Sequence, residues 1–291
     1  MRFFENTHPA VQTMVLLFLW LITTIIASSL MILSSMAGID IHQADNILWL
    51  QMMSQVVSFM GTAFLFAWLF YDDRRSFFHL DFSVQQWRKG GVAMLIMLLM
   101  IPVVEWLTIW NDGWHLPDSL SALESQMRAI ADSSELLLSE LLAKDDALHL
   151  VLNLIVIALC PAICEEIFFR GALQQALQRW FRNPHCAILL TAAIFSLAHG
   201  DFFAFVPRFI LGVLLGYLFH LSGSLIVNCC AHFLNNALIV VLYFLYAKGI
   251  LIDNPSEPMI FSVSVTVLCF MAGIFFFILY FVNDKSRTRT N

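Results

Sequence analysis

Charge is scarce in this sequence. Of its 291 residues only 12% are Asp, Glu, Lys or Arg, against roughly 25% in soluble domains, while 60% are hydrophobic and 27 are Phe. With a mean hydropathy of +0.80, this excludes a soluble globular protein. Lys and Arg form no basic patch, which excludes a nucleic-acid partner. Cysteine is missing from the polar connections: Cys160, Cys164, Cys186, Cys229, Cys230 and Cys269 all fall in or beside apolar runs. No disulfide framework is expected from them, and they read as small packing residues. Nor is a cleavable leader expected: the first apolar run is too long for a signal-peptide core and lacks a small-x-small end, and it reads as a retained membrane helix.

What is present is a series of apolar windows, each close to the ~20 residues that cross a bilayer. They cover residues 11–37, 47–71, 90–110, 147–164, 186–200, 203–221, 224–247 and 259–282. The expected fold is therefore all-α, a polytopic membrane helix bundle of about eight transmembrane helices. If the amino terminus is cytoplasmic, the inner segments carry Arg2, Arg74, Arg75, Arg88, Lys89, Arg179, Arg182, Lys285, Arg287 and Arg289, and the outer ones only Arg128, Lys144 and Lys248. That asymmetry places both termini inside. The short basic tail and the lack of an organelle signal favour a bacterial inner membrane.

The longest polar connection, 111–146, is acidic. In it Leu120, Leu123, Met127 and Ile130, then Leu136, Leu137, Leu141 and Leu142, recur at helical spacing, as in amphipathic helices lying on the outer interface. A surface cap on the bundle is expected there rather than a lid. The chain divides into 1–146, with the first helices and this connection, a core at 147–245, and 246–291, with the last helix and the basic tail.

Ionisable groups inside a span cost about 2.5–3.5 kcal/mol each even on lenient scales, so they are functional candidates by default. The candidates are Glu165, Glu166, Arg170, His199, Arg208, His220 and His232, with Asn236 as a polar companion. Glu166 and Arg170 stand at i,i+4 in the favourable acid-before-base order. Glu165 lies about 100° round from Glu166 and about 140° from Arg170, so it lacks that partner. An unpaired carboxylate away from water suits general-base chemistry. Phe195 sits one turn before His199 and can pack on its ring. His232 and Asn236 are again i,i+4 and offer N–H donors on one side, as an oxyanion requires. Counted from the nearest inner turn, His232 lies about 13 Å deep, and His199 and Glu165 about 20 Å. All three can meet at mid-membrane in a core about 30 Å thick. Pro161 is expected to kink the fourth span, Gly212 and Gly216 to permit close helix approach, Arg208 to snorkel outward, and His220 to be a packing residue.

"EEIFFR" (Glu165, Glu166, Arg170), "FSLAH" (Phe195, His199) and "HFLNN" (His232 to Asn236) resemble, in order and spacing, the EExxxR, FxxxH and HxxxN motifs of the CAAX prenyl protease type 2 family. This is the CPBP group of intramembrane proteases, which also includes bacteriocin-processing and self-immunity proteins. The resemblance covers about residues 147–245. It implies peptide-bond hydrolysis within the membrane, on a peptide or protein substrate reached from the bilayer. By that resemblance Glu165 and His199 activate water, His232 and Asn236 stabilise the oxyanion, and Glu166 with Arg170 hold the site together. A zinc-dependent version, with Glu165, His199 and His232 as ligands, is a second possibility. The absence of an HExxH pair ranks a metal-free mechanism ahead of it. The competing classes are a catalytically silent scaffold or self-immunity protein and a proton-coupled transporter; the latter predicts two related halves, which the sequence does not show.

Overall fold

The computed structural model describes residues 7–40, 43–73 and 77–283, and every regular element among them is helical. The long helices are α1 (Pro9–Met36), α2 (Asp45–Phe70), α3 (Val84–Asp112), α4 (Ser121–Leu142), α5 (Ala147–Phe181), α6 (Pro184–Ala198), α7 (Phe205–Ser222), α8 (Leu225–Ala247) and α9 (Val263–Val282). Of the lysines and arginines that set the expected orientation, Arg2, Arg74, Arg75, Lys285, Arg287 and Arg289 lie outside the described residues.

Seven apolar helices are long enough to cross a bilayer, α7 counting with the short turn that precedes it. The eighth expected crossing, α6, has 15 residues and spans only about 22 Å of the ~30 Å required. Both of its ends are set locally. Asn183 caps the backbone N–H groups of His185 and Cys186, and Pro184 follows at the first helical position, where its missing N–H costs nothing. At the other end Gly200 adopts φ +70°, a left-handed stop that residues with a β-carbon resist. The chain then turns back through Phe202–Ala204 into α7. Asn111, at the end of α3, secures this turn: its Oδ1 accepts the Val206 N–H at 2.7 Å and its Nδ2 donates to the Phe202 carbonyl.

The expected fourth span, 147–164, is only the first half of α5, which has 35 residues in all and is ended by Arg182 at φ 54°. Pro161 does not break it. A π-helical turn, Leu154–Leu159, lies immediately ahead and absorbs the disturbance to the hydrogen-bond ladder. A second one, Phe169–Gln174, follows the acidic pair. Between and across these turns α5 is buried almost continuously from Cys164 to Gln174. Phe168, Phe169 and Leu173 pack with Leu16 of α1, Phe66 of α2 and Phe219 of α7 in the main core. Gly212 and Gly216 face α6, where an added β-carbon would stand 3.1 Å from Ala192 and 2.7 Å from Ile188 Cγ2. Their close-packing role is the expected one.

In the connection 111–146, only Leu141 and Leu142 of α4 are buried; Leu120, Leu123, Ile130, Leu136 and Leu137 are exposed. Arg128 fastens this helix to its neighbours. Its guanidinium donates to the Asp112 side chain and to the Asp112 and Trp114 carbonyls, pairs with Glu124, and lies 3.8 Å over the Phe203 ring.

Candidate active site

The site is built from α5, the end of α6, and α8. On α5, Glu166 is fully buried and accepts three donors: Arg170 Nη1 at 2.6 Å and His232 Nδ1 at 2.8 Å on Oε1, and Asn228 Nδ2 at 3.1 Å on Oε2. Removing either partner of a buried ion pair leaves a charge uncompensated, at a cost of about 3–5 kcal/mol. Arg170, also fully buried, donates its Nη2 to the Gly212 carbonyl at 3.1 Å and lies 4.9 Å over the Phe195 ring. The i,i+4 pairing expected between Glu166 and Arg170 is present, and so is the separation of Glu165 from it. Glu165 is buried, and its Oε2 has no hydrogen-bond partner among the described residues. That oxygen faces His232 Nε2 at 3.9 Å.

His199 caps the C-terminus of α6 rather than lying within a span. Its Nδ1 bonds the Phe195 carbonyl at 2.8 Å. A carbonyl only accepts, so Nδ1 carries the proton and Nε2 keeps its lone pair. The Phe195 ring packs edge-on against the imidazole at 4.8 Å, as its spacing predicts. On α8, Asn228, His232 and Asn236 follow at one-turn intervals on one face. Asn228 also donates to the Leu215 carbonyl at 2.7 Å, which ties α8 to α7.

These elements enclose a cavity of about 220 Å³ lined by Glu165, His199, His232, Asn235, Asn236 and Arg208, with apolar walls from α3, α7 and α8. Thus Glu165, His199, His232 and Asn236 share one space, while Glu166 and Arg170 stand behind it and reach it through His232. Arg208 does not snorkel away. It pairs with Asp201 at 3.1 Å and lines the cavity, because the α6–α7 turn brings that carboxylate within reach.

Sequence reasoning missed Asn228, Asn235 and Asp201. A search for charged groups in spans passes over a neutral amide. Even so, Asn228 stands one turn before His232 in the same apolar run, and that spacing was a usable signal. Asp201 gave none, since its role depends on the turn after His199.

The zinc expectation finds no ready-made ligand cluster. Among the described residues no three His, Cys, Asp or Glu groups are placed to hold a metal ion.

Residues 147–238 match the family model described as Type II CAAX prenyl endopeptidase Rce1-like, a segment that contains all the residues of the acidic pair, the His199 turn and the α8 face. No curated protein and no solved structure matches the chain.

Proposed function

We propose, from the match of residues 147–238 to the type II CAAX prenyl endopeptidase Rce1-like family model, that the protein is an intramembrane endopeptidase that uses a Glu165-activated water. The observation that carries this is the Glu165 carboxylate: buried, without a hydrogen-bond partner on Oε2, and in one cavity with two imidazoles. Such a carboxylate is costly to keep unless it has work to do. Glu165 takes a proton from the attacking water, and the His199 Nε2 lone pair orients that water by accepting its other hydrogen. Asn236 and His232 hold the oxyanion of the tetrahedral intermediate. Glu166, Arg170 and Asn228 fix His232. No metal takes part. The substrate is a peptide or protein segment that reaches the cavity from the bilayer of a cell membrane, with both chain ends on the cytoplasmic side.

The test is to incubate the purified protein with a membrane proteome, with and without Glu165→Ala and with and without a chelator. Cleavage that requires Glu165 and survives chelation is the expected result. A proteome left uncut, or cut equally by Glu165→Ala, sinks the protease reading and favours a silent scaffold. Cleavage stopped by chelator and restored by zinc overturns the metal-free mechanism.

A further inference from the structure

The oxyanion role of His232 meets a difficulty that the geometry itself resolves. An oxyanion is held by an N–H, and the ring nitrogen nearest the cavity-facing Glu165 oxygen is Nε2. The other nitrogen, Nδ1, is 2.8 Å from Glu166 Oε1, an oxygen that already accepts from Arg170 at 2.6 Å. An oxygen of a carboxylate paired with a guanidinium is an acceptor, so Nδ1 is the donor and carries the hydrogen. The neutral ring therefore presents a lone pair, not an N–H, at Nε2. His232 becomes a donor there only after it has received a proton, and the group facing Nε2 is the unpartnered Oε2 of Glu165, 3.9 Å away.

We propose that His232 is the general acid of the reaction, relaying the proton that Glu165 takes from water to the leaving amine. This rests on the protease reading above. The oxygen of water forms its bond to the scissile carbonyl carbon while Glu165 Oε2 takes one of its protons. The carboxyl then passes that proton to His232 Nε2, giving an imidazolium whose Nδ1–H stays on Glu166. In this form Nε2–H first donates to the oxyanion with Asn236. It then delivers its proton to the amide nitrogen as the C–N bond breaks. Glu165 ends as a carboxylate and His232 as the starting tautomer, so one amide and one water have become one carboxylic acid and one amine. Glu166 acts here as the buried carboxylate of a carboxylate–imidazole dyad does, fixing the ring's tautomer and steadying its charge. Arg170 and Asn228, with three oxygen contacts between them on Glu166 and Leu215, are positioning residues for that dyad.

Two measurements test the relay. The first reads the ring directly: ¹⁵N-histidine spectra of the full-length protein in lipid, with the His232 signal assigned by its loss in His232→Gln. Protonation at Nδ1 and a bare Nε2 in the resting protein are expected. A resting ring protonated at Nε2 alone overturns the proposal whatever the protein's activity. The second uses a synthetic peptide reproducing a sequence cut by the unmodified protein in the proteome experiment, and its thioester analogue, whose thiolate leaves without needing a proton. His232→Gln is expected to lose roughly 10²–10³-fold in kcat on the thioester, the share of the oxyanion contact that both substrates need, and a further factor of roughly 10²–10⁴ on the amide, the share of the acid that only the amide needs. Equal losses on both overturn the relay and leave His232 as an oxyanion donor only. If the unmodified protein cuts neither, the protease reading falls and the relay with it.

Discussion

Helices α1 and α5 are matched in hydropathy, yet much less of α1 is buried. Along α1, Met14, Phe18, Leu21, Ile25 and Leu33 point outward, which is what lipid permits. Along α5 the buried stretch includes Glu165, Glu166 and Arg170, which lipid does not permit. Average hydropathy gives both helices to the membrane, but only the placement of the few polar residues says which one the others surround. A membrane helix can be apolar because of its solvent or in spite of its role, and the charges tell the two apart.

The largest effect expected from breaking this contrast is on α5. Glu165→Gln should lower the rate of peptide cleavage by at least roughly 10²–10⁴-fold with no loss of thermal stability in detergent, since it removes a buried carboxylate whose Oε2 lacks a partner. A large fall in Tm would make Glu165 structural. Arg170→Leu, which leaves Glu166 without its counter-charge, should cost about 3–5 kcal/mol, read as a lower unfolding midpoint. Truncation of an equal side chain should separate the two helices. Leu173→Ala, fully buried, should cost about 2–5 kcal/mol, and Leu21→Ala, exposed on α1, less than about 0.5 kcal/mol. Equal costs would remove the distinction drawn here. Gly216→Ala, pressed against Ile188, should cost about 1–3 kcal/mol through overpacking.

The smallest effect lies outside the bundle. The Glu124 carboxyl is held down to about 2 by the Leu116 N–H and by His115 and Arg128. Because its folded value lies below the ordinary 4.5, its hold on the start of α4 is complete above that value and is lost as pH falls through about 2. Hydrogen exchange over 121–130 should rise across that window and should not in Glu124→Gln, whose amide does not titrate.

The fold was legible where composition decides it: apolar length gave the helices, and helical spacing gave the Glu166–Arg170 pair and the separate Glu165. Glu165, His199 and His232 could be brought to one candidate site because independent segments placed them at matching depth, and Asn236 because it stands i,i+4 from His232. The length of α6 was legible too, since the window 186–200 is 15 residues long, as the helix is; counting it as a full crossing was the misreading, because a helix that Gly200 ends there is shorter than the bilayer core. The continuity of α5 beyond residue 164 was hidden because Glu165 and Glu166 interrupt the apolar window there, although the helix runs on to Phe181. His232 was assigned as a donor because i,i+4 spacing shows which side a ring faces but not which of its nitrogens is already engaged.

The shortness of α6 also bears on which sides of the membrane the chain visits. Helices α6 and α7 are joined by so short a turn that the end of one and the start of the other must sit at the same level. Together they return the chain to the face it left, however deep their tip reaches. The other long apolar helices, α1, α2, α3, α5, α8 and α9, form an even set. If each of them crosses, the start of α1 and the end of α9 would share a compartment, a parity that a hairpin of any depth would preserve.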